Sequence, residues 1–594
     1  MKLWYRIVSV SFALTVSALS VAGKVMVVDE DGKPLDTVMV TQTPVSGYTL
    51  DRSDSGYPPV GVLHRSTGSD TVFTDENGQA QFDKYENDKV RYRIRKPEYQ
   101  DVTVEMPANE TWKVTMKRQM DPVLLAASRP ANTWLAALDI EEGLKKHYIM
   151  QCGFCHQQGS TFLRRDRSVA EWEEAIYRMV NYGARLADDA QENLPELLHE
   201  KYGALNADPT KVPEGTEWKD HLQKAKITEW PIGDSFSQMH DLLHHSNGLV
   251  YVGDNLQDRM YEIDPLTGEY KVYKLPKEEG DQLGGLLGAR LKEFPKHETF
   301  AGIHSFAESA KDGNIFITAS YQQRIIEFDP KTKEWTNHLM DDGYYPHTLR
   351  VDDQDRVWFT LALSNQVGMF DRSTSEFTLF DLPSRSFKET MMVNFMGVLL
   401  KLMSWGLPVA NWASVDRDST GVPLPYGLDI APDGGVWFAR LHADSIGRID
   451  PKTLEVKVYN TPFHGPRRLR IDNEGGVWIA AFPESSIVRF DQATEKFEFF
   501  EIPVKPLGSE TPYSLNIDKQ HNIVWVNGNT SDALYAYYYK EKRWQHYPMP
   551  KKVTFTRDVE ISPTGRVFTT NSSFPSWHIE DAQPTLIVLD PVLN

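Results

Sequence analysis

From Lys226 to the end of the chain, apolar and polar residues alternate in short runs, four runs to a unit, and the units repeat. "PYGLDIAPDGGVWFARLHADSIGRIDPKTLEVKVYNTP" and "PRRLRIDNEGGVWIAAFPESSIVRFDQATEKFEFFEIP" show the plan. Each has an apolar strand, a turn of the D-x-x-G type, a strand carrying Trp, a third strand ending near an Asp, and a last strand. The step from Tyr426 to Arg467, or from His304 to His347, is just over forty residues. Four strands in a repeat of that length predict a β-propeller blade. Seven such units fit the chain. The seventh, ending "LIVLDPVLN", lacks its fourth strand, and "KITEWPI" (Lys226 to Ile232) supplies a matching one. A wheel closed in this way leaves no open sheet edge. The expectation is a closed seven-bladed propeller over 226–594, with insertions at about 277–300 and 384–424.

Two other patterns precede the wheel. Residues 23–120 alternate with period two around turns such as "DEDGKP" and "TDENGQ", which predicts an all-β module, a β-sandwich. Within it, "SGYTLDRSDSGYPPVGVLHRSTGSD" is polar and Gly/Ser-rich and predicts a long surface loop. Residues 121–225 change to helical spacing. Ser168 and Glu171 form a capping-box pattern, and Trp172, Ile176, Met179 and Val180 fall on one helix face. The fold class expected is therefore mostly β: a seven-bladed β-propeller, a small α-helical domain and an N-terminal β-sandwich. A chain of 594 residues exceeds a single core, in keeping with several domains.

Charge and the N-terminus narrow the function. The net charge of −19 disfavours a phosphate backbone as partner, so nucleic acid is excluded. Residues 1–22 hold Lys2 and Arg6, an apolar run too short to span a membrane comfortably, and "SVA" before a predicted cleavage after Ala22. They read as a cleavable signal peptide and imply a periplasmic protein.

The chain has two cysteines, both in "CGFCH" at Cys152, Cys155 and His156. This is the C-x-x-C-H pattern of covalent heme c, with the two thiols on the heme vinyl groups and His156 as proximal iron ligand. A redox C-x-x-C sits between strand and helix of a βαβ unit, but helical sequence flanks this one. A structural zinc site needs about four ligands, and no second Cys pair exists. Export favours heme, because c-type attachment takes place outside the cytoplasm. The run from C-x-x-C-H to W-x-x-x-I-x-R-M-x-x-Y-G resembles the small cytochrome c domains fused to periplasmic enzymes. That resemblance implies a c-type cytochrome domain over 121–225, with Met179 as the sixth iron ligand.

The first residues of the innermost strands face the axis of a propeller. One column down the repeats gives His240, His304, His347, Tyr426, Arg467, Tyr513 and Arg557, all polar. These are the candidate catalytic residues. Three histidines from adjacent blades suit a divalent metal with open coordination sites. Acid–base work, anion binding by the arginines and simple channel lining remain the other readings. Asp241, His244 and His245 are candidate extensions of the site. The apolar insertion at 384–424 is expected to lie over this mouth as a lid; a membrane-surface contact and a docking face for the helical domain are its other readings.

Two further resemblances follow. "GGVWFARLHADSIGRIDPKTLEVKVYNTP", "DRVWFTLALSNQVGMFD" and "PHTL" around His347 are similar to the virginiamycin B lyase (streptogramin lyase) propellers, in which channel histidines work with magnesium. The acidic partners of that metal are not matched here. G-x-V-x-D-x-x-G-x-P-L followed by T-D-x-x-G-x-x-x-F resembles the carboxypeptidase regulatory-like fold, a packing or adhesion module. Together the motifs lead to the expectation of a periplasmic heme c oxidoreductase. It takes a small-molecule substrate at the hub and passes electrons to a cytochrome or a membrane redox protein. The alternatives are a lyase-like eliminase or hydrolase with an accessory heme, and a non-enzymatic electron-transfer protein.

Overall fold

The structure, a computed structural model, describes residues 23–45, 60–82, 85, 89–288, 298–409, 412, 415–417, 421–573 and 576–591. The predicted signal segment, the first half of the predicted surface loop and parts of both insertions lie outside the described residues.

Seven four-stranded antiparallel units make up the wheel. The innermost strands of blades one to seven are Met239–His244, Ile303–Glu308, Pro346–Val351, Pro425–Ile430, Pro466–Ile471, Pro512–Asp518 and Glu560–Ile561. Consecutive inner strands contact one another, and the seventh contacts the first, so the ring is closed. The last blade takes its outer strand from the start of the wheel: Lys226–Pro231 pairs antiparallel with Thr585–Asp590.

The recurring Asp and Trp of the repeat have a local cause. Asp472 accepts the backbone N–H groups of Glu474 and Gly476 with one oxygen, at 2.9 and 2.7 Å, and so forms the turn. Its other oxygen accepts the indole N–H of Trp478 at 2.9 Å. Asp352 does the same for Trp358, also at 2.9 Å. One carboxylate thus closes the first hairpin and satisfies the polar atom of the largest side chain buried between blades.

Two expectations change. The N-terminal strands are not separate from the wheel. Ser69–Phe73 pairs with Lys226–Pro231, so Met39–Pro44, Lys89–Arg95 and Val102–Pro107 continue the seventh blade into an eight-stranded sheet. A three-stranded sheet of Gly23–Val28, Gln79–Phe82 and Thr111–Thr115 covers a core that includes Val25, Val40, Tyr92 and Ile94. Nor is the second half of the predicted loop only surface: His64–Arg65 pairs with Glu269 and Tyr270 on the outer strand of blade one. The outer edges of blades one and seven, which the wheel alone would leave exposed, are covered by this module.

Between module and wheel lie five helices: α1 (Pro122–Ser128), α2 (Ala131–Ala137), α3 (Glu142–Cys152), α4 (Val169–Asn181) and α5 (Asp188–Ala207). Two more, α6 (Phe387–Asn394) and α7 (Met396–Ser404), form in the second insertion. Ser168 caps α4 with the reciprocal Glu171 bond. Trp172, Ile176 and Val180 are buried in one core with Leu194, Leu198 and Tyr202 of α5. That core also contains Tyr426, Phe482, Tyr513 and Phe555 of the wheel, so the helices are packed directly on the hub.

Candidate functional site

In each of blades one to six the inner strand carries one extra residue at the axis. Met239 pairs with Asp254 and Leu242 with Val252, and the same shift recurs at Ile303/Phe306, Pro346/Leu349, Pro425/Leu428, Pro466/Leu469 and Pro512/Leu515. These are β-bulges, which re-aim side chains. They sit on the predicted column of His240, His304, His347, Tyr426, Arg467 and Tyr513. Arg557 lies just before the short inner strand of blade seven. Gly427 occupies one bulge because blades four and five touch there. A Cβ on it would lie 2.7 Å from both Arg467 O and Arg468 Cα.

The column packs ring on ring. His240 and His304 have centroids 3.7 Å apart, His304 and His347 3.9 Å, and His347 and Tyr426 3.8 Å. Tyr426 and Tyr513 share a hydrogen bond of 2.9 Å between their hydroxyls. Arg467 donates to Tyr426 Oη at 2.9 Å, and Arg557 donates to Tyr513 Oη at 3.0 Å. Burial alone would push the Tyr513 phenol up, but Arg467 and Arg557 outweigh it and hold the group below an ordinary tyrosine. Burial pushes His240 down to about 4 and takes His304 and His347 well below the usual imidazole range. All three are neutral at neutral pH.

Of a second ring, the sequence pattern offered only Asp241. In a regular strand, neighbours point to opposite faces, but the bulge turns the next residue inward too. Asp241, Arg468 and Asp558 meet there, fully buried, with Arg468 donating to Asp241 at 2.5 Å and to Asp558 at 3.0 Å. The signal that could have found them is an ionisable residue directly after the polar column in three of seven repeats. Asp241 also holds His240: Nδ1 lies 2.8 Å from its carboxylate, and Arg557 lies 3.3 Å from Nε2. An anionic partner on Nδ1 and a guanidinium on Nε2 fix one tautomer, with the proton on Nδ1. His244 and His245 leave the site: His244 stacks on Phe568, and His245 meets Gly313 O at 2.8 Å.

His240, Asp241 and His304 offer three donor atoms within 4.8 Å of one another, close enough for one ion. His347 is outside this group. The donors of His240 and Asp241 are already engaged by each other and by Arg557 and Arg468.

The C-x-x-C-H segment faces the same space. A cavity of about 930 Å³ is lined by Cys152, Cys155, His156 and Met179, and equally by His240, His304, His347, Tyr426, Tyr513 and Arg557. Arg467 is not on its wall. It is enclosed by Phe154, Tyr426, Phe482 and Tyr513, with its guanidinium carbon 3.5 Å from the Tyr513 ring centre and 4.2 Å from that of Phe154. Phe154 is the residue before Cys155, so the motif itself touches the hub. Gln157, just after it, donates to Asp532 at 2.6 Å and to Asn529 O at 2.7 Å, pinning the motif to blade six. Both thiols are free and half-buried, and burial pushes Cys152 up to about 12. His147 is occupied elsewhere, accepting the Ala187 N–H at 2.9 Å. Met150 is packed in the core against Gly465. Met179, by contrast, opens onto the cavity. His578, unforeseen, also lines it, stacked 3.7 Å from Phe162 and 6.0 Å from His156. Met392, Met396, Leu400 and Met403 of α6 and α7 form an apolar wall, and Leu287 of the first insertion packs with them on it.

No family model matches the chain, and no curated protein matches it. Among solved structures, it is similar to a streptogramin B lyase (15% identity, TM-score 0.46, covering 62% of this chain and 98% of that one). It is also similar to a catalytically inactive virginiamycin B lyase from Staphylococcus aureus with quinupristin (14%, 0.46, 62% and 100%). A third is YCF48 bound to D1 peptide (11%, 0.40, 62% and 95%).

Proposed function

We propose that the protein is a heme c oxidoreductase that works outside the cytoplasm, with its substrate site at the hub of the wheel. The observation that carries this reading is the shared cavity: the C-x-x-C-H segment and the polar hub column line one space of about 930 Å³. Pockets for small molecules and cofactors run to about 300–1,000 Å³. The residues fit a covalent heme. Two free thiols three positions apart lie on the wall, followed by His156, and the methionines of α4, α6 and α7 supply apolar surface. Cys152 and Cys155 would hold the ring covalently, and His156 and Met179 the iron. When bound, heme supplies one-electron chemistry and an exit for electrons to an external cytochrome or membrane redox protein.

The chain's own residues supply binding and proton handling. Tyr513, held below an ordinary tyrosine by Arg467 and Arg557, is the hub phenol best suited to give up its proton at Oη, with Tyr426 in hydroxyl contact beside it. The lid residues of α6 and α7 restrict water at the site. The N-terminal module is read as packing, since its strands extend the wheel. No helix among the described residues is long and apolar enough to cross a membrane.

The test is direct. Full-length protein exported in a host that matures c-type cytochromes should carry heme through denaturing electrophoresis, and Cys152→Ala with Cys155→Ala should lose it. Correctly exported protein without covalent heme would refute the reading. Substrate turnover indifferent to the redox state of the heme would favour the lyase-like alternative.

A further inference from the structure

The hub carries more positive than negative charge. In the two inner rings, Arg467, Arg468 and Arg557 face the carboxylates of Asp241 and Asp558, and the three histidines are neutral. Arg468 uses both carboxylates. One layer deeper, Arg350 faces Asp429 at 3.5 Å, and Arg470 reaches Asp558 at 4.0 Å. Arg467 is compensated by the aromatic faces around it. Arg557 is different. It is 4% exposed, it lines the cavity, and among the described residues it has no carboxylate at ion-pair distance. Its Nε and Nη2 are buried without a hydrogen-bond partner. Two more buried polar atoms, on residues that line the same cavity, are in the same state: Nδ1 of His304 and Nε2 of His347. His347 Nδ1 lies 3.0 Å from the Thr348 hydroxyl. If that hydroxyl donates, Nε2 carries the proton and is a donor without a partner.

A buried guanidinium with open donors is costly unless something pairs with it. Guanidinium forks match planar, two-oxygen anions. A cation at His240, Asp241 and His304 would add positive charge beside Arg557 and Arg468.

We propose that the hub is an oxyanion site, in which Arg557, supported by the imidazoles of His304 and His347, receives a carboxylate-type ligand from the cavity. This deepens the reading above by naming the substrate class as anionic. The carboxylate can come from two sources: a diffusible substrate, or the heme's own propionates. His240 is a positioning residue, since its Nε2 holds Arg557 while Asp241 fixes its tautomer.

Isothermal titration of the holoprotein with acetate, benzoate and phosphate at constant ionic strength tests this. The comparison proteins are Arg557→Gln and Arg557→Lys, with folding checked by the wheel's far-ultraviolet spectrum. Heme reduction potentials are measured on the same samples. A diffusible anion predicts saturable binding that weakens about 10- to 100-fold in Arg557→Gln, the loss of a charge-assisted pair, and is partly restored in Arg557→Lys. Propionate occupancy predicts no such binding but a changed potential in Arg557→Gln, with Arg557→Lys nearer to wild type. Folded Arg557→Gln that matches wild type in both measurements would overturn the proposal. So would one equivalent of bound metal that is lost in His304→Ala. The heat of anion binding needs no heme signal, so correctly exported protein that carries no covalent heme yet binds anions through Arg557 would refute the oxidoreductase reading and leave this site standing.

Discussion

At the residue scale, the hub column was legible because seven aligned positions were all polar where a packed hub would be apolar. Of the second ring only Asp241 was a candidate, because strand alternation predicts that Asp241, Arg468 and Asp558 point away, and the bulge brings them in. Met179 was readable as a helix-face residue, but helix periodicity cannot tell a core methionine from one that opens onto a cavity. If Met179 holds the iron, Met179→Ala should lower the heme reduction potential and abolish the weak red-end charge-transfer band of the oxidised spectrum. An unchanged spectrum would assign the sixth position to another group, for which His578, 6.0 Å from His156, is a candidate. Buried neutral histidines also set a pH dependence. Burial takes His546, in blade six, down to about 3. Its folded value is below the unfolded one of about 6.5, so between the two the unfolded chain binds more protons and stability rises with pH. Each such group contributes a slope of about 1.4 kcal/mol per pH unit in that window. Denaturant midpoints should therefore fall as pH drops from about 6.5 toward about 4, and His546→Gln should flatten the curve by about that slope. An identical slope in the variant would refute the assignment.

At the scale of elements, the four-strand unit was written plainly in the sequence: alternation, the turn Asp and the second-strand Trp are one device, as Asp472 and Trp478 show. What could not be read was pairing between distant segments. "HR" at residues 64–65 carries no strand signal, and it pairs with blade one only because an outer strand there is open. The same holds for Ser69–Phe73 on Lys226–Pro231, where two edges far apart in the chain find each other. The bulges were hidden as well, since one extra residue leaves the repeat length nearly unchanged. Gly427 is their clearest mark. Gly427→Ala should destabilise the protein by about 1–3 kcal/mol, the usual cost of overpacking, because the new methyl meets backbone rather than a movable side chain. Chemical denaturation measures this, and a midpoint equal to wild type would mean that blades four and five separate without cost.

At the scale of the whole molecule, the helical segment is not an appendage on a wheel. Its core includes Tyr426, Tyr513 and Phe555, its C-x-x-C-H turn rests on Arg467 through Phe154, and its cavity is the hub cavity. The sequence showed a candidate heme motif and a polar hub, but nothing in either one measures the distance between them. That distance decides the account. Anomalous diffraction at the iron edge, on crystals of the heme-loaded protein, tests it most directly. The account predicts one iron on His156, inside the cavity, with the macrocycle against the histidine and tyrosine column of the hub. An iron outside that cavity, or a macrocycle walled off from His304, Tyr426 and Arg557 by protein, would contradict it.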